Sequence, residues 1–252
     1  MADKPFDART VVVTGGGTGI GRATALAFAA LGARRVLITG RRADRLAEVA
    51  ALDAAITPVT ADVTTERGAG EVAEAVREHG GTLDVLVHNA GVFRHTPVDG
   101  LESAKAREVL ETNVLGPITL TSRLAPLLRS PGGSVVLVSS MAAGKPVPGA
   151  GVYAASKAAV DCLTRAWALE LAPRGIRVNA VAPSSVRTEV WAAGGFSPKQ
   201  IDAIFAAEAA KTPLGVNCRT EDVTPWITRF AEDSSAFVTG QVLTVGGGAD
   251  LT

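Results

Sequence analysis

The sequence predicts an α/β fold, a doubly wound parallel sheet of about seven strands with helices on both faces. Three observations carry that expectation. Short apolar runs alternate with longer Ala-rich amphipathic segments from Thr10 to about Val181, the rhythm of strands and crossover helices. The runs are almost unbroken Val, Ile and Leu, as in strands covered on both faces. The first run passes through a glycine cluster straight into a helical pattern.

In chain order, Val11, Val12 and Val13 place a strand at 10–14, and a helix follows at 19–31. Val36, Leu37 and Ile38 mark a strand at 35–39, with a helix at 42–51. A third strand at 56–61 leads to a helix at 65–79, and a fourth at 83–88 leads to a long helix at 101–129. Val135, Val136, Leu137 and Val138 lie in a strand at 133–139, followed by a helix at 152–172 and a strand at 176–182. Helices at 197–210 and 220–232 and a strand at 241–245 complete the pattern. With no Pro/Ser-rich linker and no solenoid repeat, residues 1–252 read as one domain. The irregular stretch 185–214, carrying Trp191, Phe196, Phe205 and Leu214, reads as a small substrate lid or as a patch that packs on itself or on another subunit.

Composition narrows the function classes. Lys plus Arg equals Asp plus Glu at 25 each, so no global field calls for nucleic acid or an anionic membrane. No run reaches the ~18 apolar residues of a membrane span, and the charged segment Met1 to Thr10 lacks the apolar core of a signal peptide. Cys162 and Cys218 are too few for a disulfide framework, and neither has metal-ligand spacing. A cytoplasmic protein is expected, with a small molecule or another protein as partner and no metal.

Thr14-Gly15-Gly16-Gly17-Thr18-Gly19-Ile20-Gly21 occupies the first strand-to-helix turn, where backbone amides at a positive helix end can meet a pyrophosphate. Its spacing, Gly15-x3-Gly19-x-Gly21, departs from the commoner GxGxxG. The second strand ends in Ile38-Thr39-Gly40-Arg41-Arg42, which offers no acid for the adenosine ribose hydroxyls. Arg41 instead presents a planar guanidinium suited to a 2′-phosphate, so NADP(H) is expected in preference to NAD(H). Asp62-Val63 and His88-Asn89-Ala90-Gly91 close the third and fourth strands at the carboxyl edge, where open sheets bind ligands.

Tyr153 is the only tyrosine, and it precedes Lys157 by four residues on the same helical face. A nearby ammonium favours the phenolate; a pKa lowered by roughly 2 to 3 units would correspond to about 3 to 4 kcal/mol. A proton donor with a depressed pKa is therefore expected.

Taken together, these motifs resemble the short-chain dehydrogenase/reductase family over about residues 8–250: TGGGTGIG at 14–21, Asp62-Val63, His88-Asn89-Ala90-Gly91, Asn113, Ser140, Tyr153 with Lys157, and Asn179 through Thr188. The general appearance is nearest to 3-oxoacyl-carrier-protein reductases. The resemblance implies a Rossmann-type fold and a catalytic set of Asn113, Ser140, Tyr153 and Lys157. Ser140 is chosen over Ser139 because the family's serine lies thirteen residues before the tyrosine. In this family Ser140 would orient the carbonyl, Tyr153 deliver the proton, Lys157 lower the tyrosine pKa and hold ribose hydroxyls, and Asn113 help to hold a relay water. Cofactor contacts are implied at Gly15, Thr18, Gly19, Ile20, Asp62, Val63, Asn89, Gly91, Val186 and Thr188, besides Tyr153 and Lys157.

Three departures from the family pattern stand out: Ser184 after Pro183, His88 in place of the first Asn, and Gly246 in place of Asp. His88 is expected to be a partly buried imidazole with a backbone partner. Arg174 could dock an acidic carrier, but the second basic cluster is reduced to Arg129-Ser130-Pro131-Gly132-Gly133. A free ketone is therefore favoured, in an NADP(H)-dependent carbonyl reductase acting on a moderately apolar ketone or alcohol. An NAD-dependent secondary-alcohol or polyol dehydrogenase is the alternative. A non-catalytic dinucleotide sensor is a third reading, and the presence of all four catalytic residue types counts against it. A homo-oligomer, tetramer or dimer, is implied by the resemblance.

Overall fold

Seven parallel strands build the sheet: β1 (Thr10–Thr14), β2 (Arg35–Gly40), β3 (Ile56–Thr60), β4 (Val85–His88), β5 (Ser134–Val138), β6 (Arg177–Pro183) and β7 (Val242–Val245). They belong to a computed structural model that describes residues 4–252. The order is β3-β2-β1-β4-β5-β6-β7. Chain direction across the sheet reverses between β1 and β4, where Val11, Val12 and Val13 face Val85, Leu86 and Val87. Connections there run to opposite faces and leave a crevice at the carboxyl ends.

The period of two along each strand sorts the core into two layers. Val11 and Val13 of β1 join Val36, Ile38, Val85 and Val87 on one face, with Phe28, Leu46, Val223 and Ile227 from α1 (Gly19–Ala30), α2 (Ala43–Ala50) and α9 (Thr220–Ala231). Val12, Leu37, Leu86, Val135 and Leu137 point to the other face. There they meet α3 (Glu66–Glu78), α5 (Gly116–Leu124, after α4, Ser103–Leu110) and α6 (Gly151–Leu171). Pro58 sits in β3 at the sheet edge, where its missing N–H breaks no ladder on the open side. Between β6 and α9 run α7 (Val190–Ala193) and α8 (Pro198–Lys211), the latter started by a Ser197–Gln200 capping box.

One expected element is divided. The helix anticipated over 101–129 breaks into α4, a π-turn at Glu111–Leu115, α5 and a 3-10 turn at Ala125–Leu127. Pro117 supplies the reason: it has no N–H for the carbonyl of Asn113, four residues back, and its ring crowds that carbonyl. The ladder widens by one residue, and Gly116 donates to Glu111 O instead. Among the described residues, no helix is long and apolar enough to cross a membrane.

Candidate active site

The crevice at the β1/β4 switch is a cavity of about 210 Å³. Its walls are the glycine turn, the end of β2 through Arg45, the segment Ala61 to Thr64, and Ala90 to Val92. Backbone closeness makes glycine obligatory in the turn. A Cβ on Gly21 would lie 2.3 Å from Gly15 O, and one on Gly19, held at φ 53°, would meet the Thr188 methyl at 2.9 Å. Asn89 ties the turn to β4 by donating from Nδ2 to Thr14 O at 2.8 Å and to Gly15 O at 3.3 Å. Its amide is thereby committed to holding the cradle.

Charge concentrates at the end of β2. Arg41, Arg42 and Arg45 all line the cavity, and Arg41 is exposed with no ion pair among the described residues. Arg42 pairs with Glu189 at 3.0 Å, and Arg45 stands 4.0 Å from the same carboxylate. The Thr39 hydroxyl on the same wall is buried without a hydrogen-bond partner. On the opposite wall, Asp62 accepts from the Thr64 amide at 3.0 Å and the Thr64 hydroxyl at 2.7 Å. Gly68 permits that corner, since a Cβ there would fall 2.0 Å from Asp62 O. A glycine cradle, an orphaned hydroxyl and a free guanidinium suit the phosphates and hydroxyls of a dinucleotide.

The expected catalytic residues meet where β4, β5, the π-turn and α6 converge. The Ser140 hydroxyl caps the turn at Met141–Ala143, accepting from Ala142 N at 3.2 Å, and stands beside Tyr153, whose pKa it lowers. Ser139 faces the other way, donating to Asp161 and to Lys157 O. Lys157 is buried, donates to Val138 O at 2.8 Å and stands 5.8 Å from the centre of the Tyr153 ring. Gly91 closes this corner, its missing side chain leaving room beside Asn113 Oδ1 and Lys157 Nζ. Asn113 is buried with its amide fully engaged: Oδ1 accepts from Val92 N at 2.8 Å, and Nδ2 donates to Val92 O and to Ser156 Oγ, each at 3.0 Å. A relay water would therefore meet the Asn113 carbonyl, which Pro117 deprives of its helical donor.

The expected depression of the Tyr153 pKa is not what the structure places here. Burial raises it, and the neighbouring Ser140 hydroxyl only partly opposes the rise. Burial also lowers Lys157 to about 8, with Asp161 pulling upward. The ammonium is aimed at the Val138 carbonyl, and the desolvation that weakens it also disfavours the phenolate. His88 is likewise corrected in detail: it is fully enclosed, its Nε2 lies 2.7 Å from the Thr121 hydroxyl in place of a backbone partner, and burial lowers its pKa to about 3.

The lid region is aromatic and continuous with the tyrosine. Phe93 contacts Trp191 and Phe196, with centroids 5.7 and 5.8 Å away, and Trp191 continues to the buried Phe205 at 5.5 Å. Arg94 binds Glu108 through two hydrogen bonds and donates to Phe93 O and Ala193 O, which pins α7 beside this wall. Leu214 stays exposed.

Of the sequence-derived cofactor residues, Gly15, Thr18, Arg41, Asp62, Val63 and Gly91 line the cavity. Val186 and Ile20 turn their side chains into the core, and Thr188 packs on Gly19. Phe93, Thr39, Arg45 and Asp161 escaped the sequence reading. Phe93 stands two residues past Asn89-Ala90-Gly91, a loop whose reach over the tyrosine no periodicity reveals. Ser184 donates its amide to Val245 O at 3.0 Å at the end of β6. Arg174 donates to Ala125 O and Leu128 O ahead of the amino end of β6, away from the crevice. Among the described residues, no cluster of three or more His, Cys, Asp or Glu could hold a metal ion.

Known proteins resemble this chain in sequence and fold. A family model described as enoyl-(acyl carrier protein) reductase matches residues 15–250. The 3-oxoacyl-[acyl-carrier-protein] reductase FabG of Thermotoga maritima is 35% identical, over 96% of this chain and 98% of that protein. Galactitol 2-dehydrogenase of Agrobacterium fabrum is 30% identical, over 95% of this chain and 96% of that one. A short-chain dehydrogenase/reductase of unknown function from Caenorhabditis elegans, solved with its cofactor, superposes with a TM-score of 0.92 at 33% identity, covering 98% of this chain and 97% of its own.

Proposed function

The chain belongs to the short-chain dehydrogenase/reductase family of oxidoreductases acting on CH–OH donors, and on that premise we propose an NADP(H)-dependent carbonyl reductase for a moderately apolar ketone. The observation that carries the proposal is the convergence of the Tyr153 phenol with Ser140 and buried Lys157, walled by Phe93. The glycine-turn amides, Arg41, Lys157 and the walls at Asp62 and Gly91 would hold the dinucleotide. When bound there, the dinucleotide would supply the hydride for carbonyl reduction.

The protein's own groups handle the oxygen. Ser140 donates a hydrogen bond that polarises the carbonyl, and Tyr153 releases its proton as negative charge develops on oxygen. Burial, which keeps the phenol protonated at neutral pH, suits it to act as an acid in the reducing direction. Lys157, still largely cationic at neutral pH, stabilises the phenolate left behind. Arg41 supplies the preference for a 2′-phosphate.

The test is a panel of aryl and alkyl ketones, secondary alcohols and polyols with both cofactors, followed by absorbance of the reduced nicotinamide. Reduction of apolar ketones with a several-fold higher kcat/KM for NADPH than for NADH is expected. Turnover confined to polyols with NAD would overturn the reading in favour of the alternative dehydrogenase. We also infer a homo-oligomer: Leu110, Leu115 and Ile118 leave an exposed apolar strip along α4 and α5, and Leu169 another on α6. Sedimentation showing only monomers at micromolar concentration would contradict it.

A further inference from the structure

Glu189 belongs to the segment leading into the lid helix α7, yet its carboxylate reaches the nucleotide end of the crevice. Thr188 makes this possible by packing its methyl on Gly19, which lays the segment across the start of α1. From there Glu189 Oε2 lies 3.0 Å from Arg42 and Oε1 lies 4.0 Å from Arg45, both arginines of the cavity wall. All three side chains are about half exposed, so the pairs add little to folding stability. Arg45 has a second partner in Glu48, whereas Arg42 has no other ion pair among the described residues. A carboxylate so placed has a consequence for an incoming anion that exceeds its structural worth.

We propose that Glu189 is a specificity-determining residue of the nucleotide end, competing with a 2′-phosphate for Arg42 and Arg45. It holds the affinity for 2′-phosphorylated adenosine below what Arg41, Arg42 and Arg45 would together supply. The proposal rests on the dinucleotide reading above and deepens it. A phosphate dianion at the end of β2 gains from each guanidinium and loses to each nearby carboxylate. Adenosine without that phosphate feels neither effect strongly. Glu189 therefore acts on the difference between the two cofactors, unlike a residue that merely anchors the lid.

The test is calorimetric titration of the full chain and its Glu189→Gln variant with 2′,5′-ADP and with 5′-AMP, which probe the adenosine end alone. The variant is expected to bind 2′,5′-ADP about three- to tenfold more tightly, with 5′-AMP changed by less than about twofold. The gain should shrink at about 0.5 M salt, where exposed charges are screened. An equal change for both probes, or no tightening toward 2′,5′-ADP, would overturn the proposal and leave Glu189 a lid anchor. Failure of the NADP(H) reading looks different: the wild-type chain would bind 5′-AMP and not 2′,5′-ADP. Even then, binding of 2′,5′-ADP must emerge in Glu189→Gln, and its continued absence would overturn this proposal as well.

Discussion

Phe93 stands edge-on to Tyr153, with ring centroids 5.1 Å apart and planes at 74°. Through Phe93, Tyr153 and the aromatics Trp191 and Phe196 form one packed cluster, so the proposed substrate wall and the proposed acid are set by the same contacts. Gly194 at the end of α7 brings the lid this close, since a Cβ there would meet the Phe93 ring at 3.1 Å.

Replacing that ring tests the coupling. Phe93→Ala removes an edge-to-face partner worth about 1 kcal/mol and opens space beside the acid, for a total of about 2 to 3 kcal/mol. The expected outcome is a fall in kcat/KM for apolar ketones of about 30- to 150-fold, carried mainly by KM, with NADPH affinity unchanged. Steady-state kinetics beside a cofactor titration checks it; a variant losing cofactor and ketone affinity alike would show that Phe93 supports the fold and does not form the wall.

The pH dependence follows from two buried groups. In the proposed mechanism reduction needs the phenol protonated and Lys157 charged, and both forms disappear as pH rises. Reduction should hold steady through neutrality and fall as pH passes about 8, where Lys157 loses its proton. Alcohol oxidation needs the phenolate, which burial disfavours, so it should climb well into the alkaline range. Asp161 holds Lys157 upward, and Asp161→Asn should therefore move the break in the reduction profile to lower pH. Rate profiles of wild type and variant decide the matter; an unmoved break would remove Lys157 from the titration.

His88 marks an acid weakness. Its pKa is about 3 in the fold against an ordinary 6.5, so between these limits the unfolded chain binds more protons and stability falls with falling pH. The slope from this one residue reaches about 1.4 kcal/mol per pH unit. His88→Asn, which keeps a polar partner for Thr121 and does not titrate, should flatten the dependence between pH 6.5 and 3. Denaturant unfolding across that range reads it directly, and a slope identical to wild type would place the acid sensitivity elsewhere.

Much of this is legible in the sequence. The sheet could be read because Val11, Val12 and Val13 and their counterparts are apolar on both faces, which only a doubly covered strand requires. The convergence of Tyr153 with Lys157 follows from helical spacing. What spacing cannot express is desolvation: it brings an ammonium near a phenol, but burial raised the phenol and lowered the ammonium. Asn113 read as a residue inside one long helix, because the effect of Pro117 on the carbonyl four residues earlier shows only once the ladder is built. Phe93 and Glu189 act across the chain, at separations of 60 residues from Tyr153 and 147 from Arg42, where local pattern carries no information.

The central claim is that the Tyr153 hydroxyl gives the proton to the substrate oxygen, and Tyr153→Phe tests it most directly. Single-turnover reduction of the preferred ketone with NADPH should slow by about 10²- to 10⁴-fold. NADPH affinity should stay within about twofold of wild type and the thermal midpoint within a few degrees, since the ring and its contact with Phe93 remain. Reduction at more than half the wild-type rate, with cofactor still bound, would contradict the account.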